Sequence, residues 1–425
     1  ATTGGNNVAI GKEALTSLTT GASNTAVGKG SMASHTTGSE NIAVGKDALY
    51  ANTTGSNNTA IGRDALVTNT TASNNTAVGY YSLRANTTAA YNVAVGSGAL
   101  TTNTTGGNNT AVGGVALENN TTASNNTALG NEALRANTTG TQNTAVGAYA
   151  LDAITTASTC TAVGYQALTA NTGSSNAAFG STALANNTTG QNNTAIGHAA
   201  LVSTSTGNDN VAVGYACLYN SNGAPANVAL GSYAAHNVTT GGYNVFAGYY
   251  AGVNVTTGTK NVCLGHNALR TLTTNSYNTA VGDQALYDYT GAETVAMGHA
   301  CAYELTTGSQ CTAIGTSALR NSTTGDYNTA IGYYAMGAAV VTGGHNTAVG
   351  YRAAQSLTTG AYNAFVGKGA ANNATTASNL TIMGYNAAYG LTTGNENVVI
   401  GTSACSNSGS TTHNSNVIIL SLIHI

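Results

Sequence analysis

Tyrosine is distributed unevenly along this 425-residue chain, with 6 in residues 1–212 and 17 in residues 213–425. A tyrosine ring offers an apolar face and a hydroxyl group, which suits contact with sugar rings and protein surfaces. Two sets recur at fixed places, one just before a repeated Asn and one just after a repeated Gly: Tyr91, Tyr243, Tyr277, Tyr327 and Tyr362, then Tyr249, Tyr250, Tyr333 and Tyr334. We predict that they form aromatic ladders on the outside of the molecule and bind a surface glycan or a protein receptor. The alternative is that they only pack between neighbouring coils.

The other reactive side chains predict neither catalysis nor metal binding. The six cysteines form no C-x-x-C motif and lie at places that small residues occupy elsewhere, so we interpret them as buried packing residues. The eight histidines are scattered, and Asp and Glu hold no constant position, so no catalytic or ligand spacing recurs. We expect no enzyme activity, no cofactor and no metal ion.

Composition narrows the range of partners. Charged residues make up 6% of the chain, and 11 Lys and Arg against 14 Asp and Glu leave a net charge of −3. This balance gives no electrostatic reason to expect nucleic acid as a partner. No apolar run approaches the roughly 18 residues of a membrane span, so we expect no membrane insertion within this segment. A hydrophobic fraction of 42% nevertheless excludes a charge-solvated disordered chain.

A glycine that recurs every 17 residues organises the whole sequence. This repeat glycine defines 24 units, with two steps of 16 residues and one of 18, and Gly11, Gly28, Gly45, Gly62, Gly197 and Gly265 are examples. We number positions in a unit from the repeat glycine, so that the consensus N-T-A-V-G places Asn at −4 and Val at −1. The regularity predicts one repeat domain over residues 1–419 and places the irregular steps in turns. We expect each repeat glycine to need a positive φ or a close approach to the next coil.

The residues on either side of the repeat glycine predict strands. Position −3 is β-branched in 22 of 24 units, position −2 is Ala in 19, and position −1 is apolar in all 24. An Ala-Leu pair at +3 and +4 predicts a second short strand, and Asn-Thr-Thr-Gly predicts a turn. The fold class is therefore all-β, a parallel β-solenoid or β-roll of about 24 coils with two short strands per coil. We expect the β-branched face to fill the interior and the Ala face to pack against another chain.

The core sequence Asn41-Ile42-Ala43-Val44-Gly45 resembles the head repeat of trimeric autotransporter adhesins. The longer unit, with Ala-Leu and Asn-Thr-Thr-Gly, also resembles the repeat shafts of phage tail-fibre-like proteins. The resemblance implies a left-handed β-roll, a homotrimer and a non-catalytic structural role in attachment. It also implies an extracellular location, at a cell surface or on a virion tail fibre. The choice between the two families stays open.

Two other functions fit a β-solenoid. Rows of Thr at position −3 are typical of ice-binding solenoids, although 13 Thr in 24 units make an irregular row. A polysaccharide-processing enzyme on a β-helix scaffold is the third interpretation, and it requires clustered acidic residues. Separately, the repeat breaks at residue 420, and residues 420–425 resemble a translated sequencing-adapter end. We therefore expect those six residues to be foreign to the repeat.

Overall fold

The computed structural model describes residues 3–406 and 414–419, so the predicted foreign tail at 420–425 lies outside the described residues. These residues form three-residue strands joined by turns and bends, and they contain no helix that could cross a membrane. The chain divides into two compact units, Ala1–Asn210 and Val211–Ile425.

The first unit is a parallel sheet in which each strand pairs with the next one along the chain. Thr59, Ala60 and Ile61 lie opposite Thr76, Ala77 and Val78, which is the same place in the next coil. Its strands are β1 Val8–Ile10, β2 Thr25–Val27, β3 Ile42–Val44, β4 Thr59–Ile61, β5 Thr76–Val78, β6 Val93–Val95, β7 Thr110–Val112, β8 Thr127–Leu129, β9 Thr144–Val146, β10 Thr161–Val163, β11 Ala177–Phe179 and β12 Thr194–Ile196.

The second unit repeats this parallel arrangement, and Val228 lies opposite Val245. Its strands are β13 Val211–Val213, β14 Val228–Leu230, β15 Val245–Ala247, β16 Val262–Leu264, β17 Thr279–Val281, β18 Val295–Met297, β19 Thr312–Ile314, β20 Thr329–Ile331, β21 Thr347–Val349, β22 Ala364–Val366, β23 Thr381–Met383, β24 Val398–Ile400 and β25 Val417–Ile419. The parallel solenoid with a 17-residue coil is therefore confirmed.

The irregular steps leave the strand register unchanged. Thr161 lies opposite Ala177 across a 16-residue step, and Thr329 lies opposite Thr347 across an 18-residue step. The differences in length fall in segments 171–173 and 340–343, outside the strands, as predicted. A slip within a strand would instead turn its side chains to the opposite face.

Each coil contains one strand, so the prediction of two short strands per coil is wrong. After the repeat glycine, positions +2 and +4 are left-handed, as at Asp47 (φ 56°) and Leu49 (φ 53°). Because left-handed residues alternate with ordinary ones, neighbours such as Ala48 and Leu49 are both fully buried. Neighbours in an extended strand would face opposite sides. The segment still bonds to the next coil, because the Leu49 N–H donates to the Ala65 carbonyl at 3.0 Å.

The prediction of which strand face lies inside is also wrong. Ala60 at position −2 is fully buried, whereas Thr59 is half-buried and Ile61 is 40% exposed. The same pattern of a buried centre between more exposed neighbours recurs in β2 to β24. The β-branched residues therefore form the outer surface of the sheet, and alanine faces the interior.

Exceptions to the small residue at −2 show why alanine lies inside. Phe246 occupies this position in one coil, and Gly252 replaces the usual Leu at +4 of the same coil. A Cβ atom on Gly252 would overlap the Phe246 ring. Phe365 is likewise buried in a coil that has Ala371 at +4. Positions −2 and +4 thus share one volume, and an aromatic ring fits at −2 only where +4 is Gly or Ala, whereas a Leu at +4 accompanies a small residue such as Ala or Cys.

Two ladders of buried asparagines run along the interior. At position −4, the Asn58 backbone N–H donates to Asn41 Oδ1 at 3.0 Å, and Asn41 Nδ2 donates to the Gly55 carbonyl at 2.9 Å. At position +7, Asn69 Nδ2 donates to Asn52 Oδ1 at 3.0 Å. These contacts satisfy polar groups that would be costly to bury alone. The Asn of Asn-Thr-Thr-Gly is therefore an interior residue as well as a turn residue.

The repeat glycine combines both constraints expected from the sequence. Its φ is 137° at Gly45 and 133° at Gly62, a region that favours glycine. A Cβ atom on Gly45 would lie 2.5 Å from the carbonyl oxygen of Gly62 in the next coil. The same φ region holds at the other repeat glycines singled out above: Gly11, Gly28, Gly197 and Gly265.

Candidate functional site

The five tyrosines that precede the repeated Asn lie at position −5 on the outer surface of the coils. The position is left-handed in every case, with φ between 57° and 64° for these tyrosines. Each of these residues is more than half exposed, from 51% at Tyr327 to 63% at Tyr91 and Tyr362. The residues in this set are Tyr91, Tyr243, Tyr277, Tyr327 and Tyr362.

Only part of this set forms a ladder. Tyr327, His345 and Tyr362 occupy position −5 of three consecutive coils, with ring centroids 4.7 Å and 4.9 Å apart and nearly parallel planes. Tyr243 and Tyr277 are instead separated by Lys260, whose Nζ lies 5.0 Å from the Tyr277 ring centroid. Ring stacking at coil spacing therefore occurs where consecutive coils carry aromatic residues. The sequence signal for His345 is its place at position −5 between the coils of Tyr327 and Tyr362.

A groove of 510 Å³ borders the ladder. His345 and Tyr362 form one wall, and Thr347, Ala364 and Thr381 of the sheet surface form another. A ligand that lies on the rings of the ladder would therefore also contact the hydroxyl and methyl groups that line this groove. The residues that line this groove include no Asp, Glu, Lys or Arg.

The tyrosines that follow the repeat glycine lie on another side of the coil. Tyr249 and Tyr250 meet edge to face with centroids 4.2 Å apart, and Tyr333 and Tyr334 do so at 4.7 Å. A hydrogen bond with Tyr250 raises the pKa of Tyr249, so the Tyr249 hydroxyl stays protonated near neutrality. Tyr249 and Tyr333 are exposed and their partners are half-buried. Rings of consecutive coils also stack on this side, because the ring centroid of Tyr333 lies 5.3 Å from that of Tyr351 and the ring centroid of Tyr250 lies 5.1 Å from that of Tyr233, with nearly parallel planes. The stacking at coil spacing that the sequence predicted therefore occurs here as well as packing within a coil.

Further along this side, the structure assembles a group that the sequence interpretation missed. Tyr351, Lys368 and Tyr385 occupy position +1 of three consecutive coils, and Arg352 follows at +2. They line a cavity of 340 Å³. The available signal was charge, because residues 327–395 contain no Asp or Glu while Arg352 and Lys368 lie among them.

The largest groove of these three is less promising. It measures 640 Å³ and is lined by Asn and Thr side chains, among them Asn220, Asn237 and Thr239. Asn220 Nδ2 donates to Asn237 Oδ1 at 3.1 Å, and Thr239 Oγ1 donates to the Thr256 carbonyl at 3.2 Å. Because its polar groups already bond to one another and it has no charge, we place the site elsewhere despite its volume.

The buried cysteines are packing residues. Cys160, Cys217, Cys263, Cys301 and Cys311 are buried and form no disulfide. Burial raises the pKa of Cys217 to about 12 and that of Cys311 to about 11, so neither is a thiolate near neutrality. Within residues 3–406 and 414–419, no three His, Cys, Asp or Glu side chains are grouped in a way that would hold a metal ion.

No known protein family matches the chain, and no curated protein sequence matches it. The resemblance to adhesin heads and tail-fibre shafts accordingly rests on the repeat itself.

Proposed function

We propose that this chain is a non-catalytic segment of an extracellular attachment fibre, of the kind found in bacterial surface adhesins and phage tail-fibre-like proteins, and that it binds surface glycans. The observation that carries the proposal is the exposed ladder of Tyr327, His345 and Tyr362. An aromatic face that large and that exposed has no partner within the described part of the chain. Sugar rings present apolar C–H faces that suit such a surface.

The regular spacing of the ladder supports binding of an extended glycan rather than a small molecule. Rings 4.7 Å and 4.9 Å apart form a continuous strip that a polysaccharide can follow. Each contact is weak, so affinity grows with the number of coils and chains that engage one ligand. A structural fibre supplies this multiplicity.

We further propose that the fibre is a homotrimer, with the −1 row of the outer sheet surface as the contact between chains and the −3 row left open beside the ladder. Residues at −1 form a row of apolar side chains, such as Ile61 and Leu129, which are 40% and 47% exposed. Parallel strands with apolar residues on both faces are normally covered on both. Sedimentation should give about three times the 42.0 kDa chain mass. A folded monomer at micromolar concentration would overturn this part of the proposal.

The attachment proposal is tested by removing the ladder. Replacing Tyr327, His345 and Tyr362 together by Ser should lower retention on a glycan array about tenfold or more, because ring contacts and their burial are lost. Tyr91→Ser is the matched control, since Tyr91 has the same position and exposure but no aromatic residue at that position in the adjacent coils. Circular dichroism should be unchanged in both variants. Equal retention of the triple variant and the parent protein contradicts the proposal.

A second candidate function, ice binding, is favoured by one regular row of threonines. Position +9 is an exposed Thr in nine consecutive coils of the first unit, about 4.8 Å apart along the sheet direction. This row is more regular than the predicted row at −3. Its members are Thr20, Thr37, Thr54, Thr71, Thr88, Thr105, Thr122, Thr139 and Thr156. Thermal hysteresis of the intact chain that is lost in Thr88→Tyr would favour ice binding over attachment.

A further inference from the structure

The 340 Å³ cavity of the second unit has the size of a site for one or two sugar rings. Its walls come from three consecutive coils. Tyr351 and Arg352 contribute from the first coil, Lys368 from the second, and Tyr385 from the third. It lies on a different side of the coil from the ladder, since its residues follow the repeat glycine and the ladder residues precede it.

Cationic and aromatic groups alternate along the cavity. Lys368 Nζ lies 5.7 Å from the Tyr351 ring centroid and 5.3 Å from that of Tyr385. Arg352 Cζ lies 5.2 Å from the Tyr351 ring centroid. Both cations are exposed, and neither has a carboxylate within 4.0 Å in the described part of the chain. The tyrosines hold the cations in place but do not neutralise them.

The floor of the cavity depends on a missing side chain. Gly369 lies at position +2 with a φ of 65°, where most coils carry a side chain. A Cβ atom there would collide with the amide oxygen of Asn386 in the next coil. Asn386 also lines the cavity, so the absence of a side chain at Gly369 leaves the Asn386 amide unobstructed on that side.

We propose that this cavity binds an acidic sugar, a pyranose that carries a carboxylate, as part of a surface polysaccharide. The carboxylate accepts hydrogen bonds from Arg352 and Lys368, and the apolar face of the sugar ring lies on Tyr385. The Asn386 amide bonds to the ring hydroxyls. This inference rests on the attachment function proposed above and adds the charge of the ligand to it.

The test uses the full chain and three carboxylated polymers: polygalacturonate, alginate and polysialic acid. At least one should bind, as measured by isothermal titration calorimetry at low salt. For polygalacturonate, the fully methyl-esterified polymer is the neutral comparison with the same ring. Binding should fall about tenfold for the ester, or for Lys368→Gln with any acid polymer, because a charge-assisted contact is lost.

Controls separate this site from general charge effects and from the ladder. Lys29 of the first unit, like Lys368, occupies position +1 and is followed by a glycine at +2. Lys29→Gln should leave binding of the acid polymers unchanged. Lys368→Arg should retain most of it. Binding by none of the acid polymers overturns the inference, and so does equal binding by Lys368→Gln and the parent. If neutral glycans still bind through Tyr327 and Tyr362, the attachment function survives that failure. If acid polymers bind but the triple ladder variant retains glycans as well as the parent does, the cavity proposal stands and the ladder proposal is contradicted.

Discussion

Two coils, one in each unit, share a backbone but differ in the side chains around it. Gly28-Lys29-Gly30 and Gly367-Lys368-Gly369 have the same sequence, and both second glycines are left-handed, with φ of 69° and 65°. In both cases a tyrosine at position +5 of the next coil lies 3.5 Å from the place of the absent Cβ atom. The tyrosines are Tyr50 and Tyr389.

The neighbouring coils make the difference. Around Lys29, Lys12 Nζ pairs with Glu13 and Lys46 Nζ pairs with Asp47, each at 3.6 Å. Around Lys368, the corresponding pairs are Tyr351 with Arg352 and Tyr385 with Asn386, and no carboxylate is present. On the first surface two of the three lysines pair with carboxylates, whereas the second leaves two cations between aromatic rings with no carboxylate beside them. One backbone thus carries either surface, and the residues at +1 and +2 of three successive coils decide which.

The largest expected effect tests whether the two backbones are equivalent. Gly28→Val and Gly367→Val each place a Cβ atom 2.7 Å from the carbonyl carbon of the next repeat glycine, at φ values of 131° and 136°. Each should destabilise its coil by about 3 kcal/mol, because overpacking and an unfavourable φ add together. Hydrogen exchange of the coil amides measures this. If only one of the two substitutions destabilises its coil strongly, the two coils differ in backbone environment as well as in the side chains around them.

The second prediction transfers one surface to the other unit. The combined substitutions Lys12→Tyr, Glu13→Arg, Lys46→Tyr and Asp47→Asn reproduce around Lys29 the residues found around Lys368. Calorimetry with the acid polymer that binds should then show a second site per chain. The variant with only the two tyrosines retains Glu13 and Asp47, so its new site should be about tenfold weaker. A quadruple variant with one site would mean that unnoticed features near Lys368 are required.

The smallest expected effect is a loss of stability at low pH, and we expect it in the Gly28 coil but not in the Gly367 coil. His35 occupies position +7 of the Gly28 coil, fully buried, with Nε2 2.8 Å from the Gly38 carbonyl and Nδ1 accepting from Asn52 Nδ2. Burial lowers its pKa below the usual 6.5. The unfolded coil therefore takes up a proton first, and stability should fall as the pH drops below about 6.5.

Hydrogen exchange as a function of pH measures this effect. The Gly367 coil has Ala374 at the same position and should show no such dependence. His35→Asn removes the titrating group and extends the asparagine ladder to Asn52, so it should abolish the pH dependence at equal or higher stability. Persistent acid sensitivity in that variant would assign the effect to another group.

The period and the strand positions were predictable because the repeat glycine and the residues at −3 to −1 are nearly invariant in type. The interior face was not predictable from alternation, since both strand faces are apolar in a unit such as Thr59 to Ile61. The pairing of Phe246 with Gly252 was a usable signal that was overlooked. The left-handed Leu49 was beyond sequence reasoning, because leucine rarely has a positive φ and only the surrounding coil imposes it.

The candidate site was predictable only in part. The exposure of the tyrosines at −5 follows from their place in a turn, whereas the ladder depends on His345 standing between Tyr327 and Tyr362. The cationic cavity joins residues of three coils, so no single motif reveals it. Its sequence signal is the absence of acidic residues around Arg352 and Lys368, which becomes meaningful once the coils are aligned.

Each coil bonds to its two neighbours through the same positions, as where Ala60 lies opposite Ala77 and Asn58 bonds to Asn41. A coil added to or removed from the stack therefore meets complementary partners on both sides. At the level of the gene, unequal recombination that gains or loses 17 codons leaves every contact type intact. Such a molecule can vary its length and the order of its surface patches across generations without redesigning its interior, and selection then acts on which coils stand next to each other.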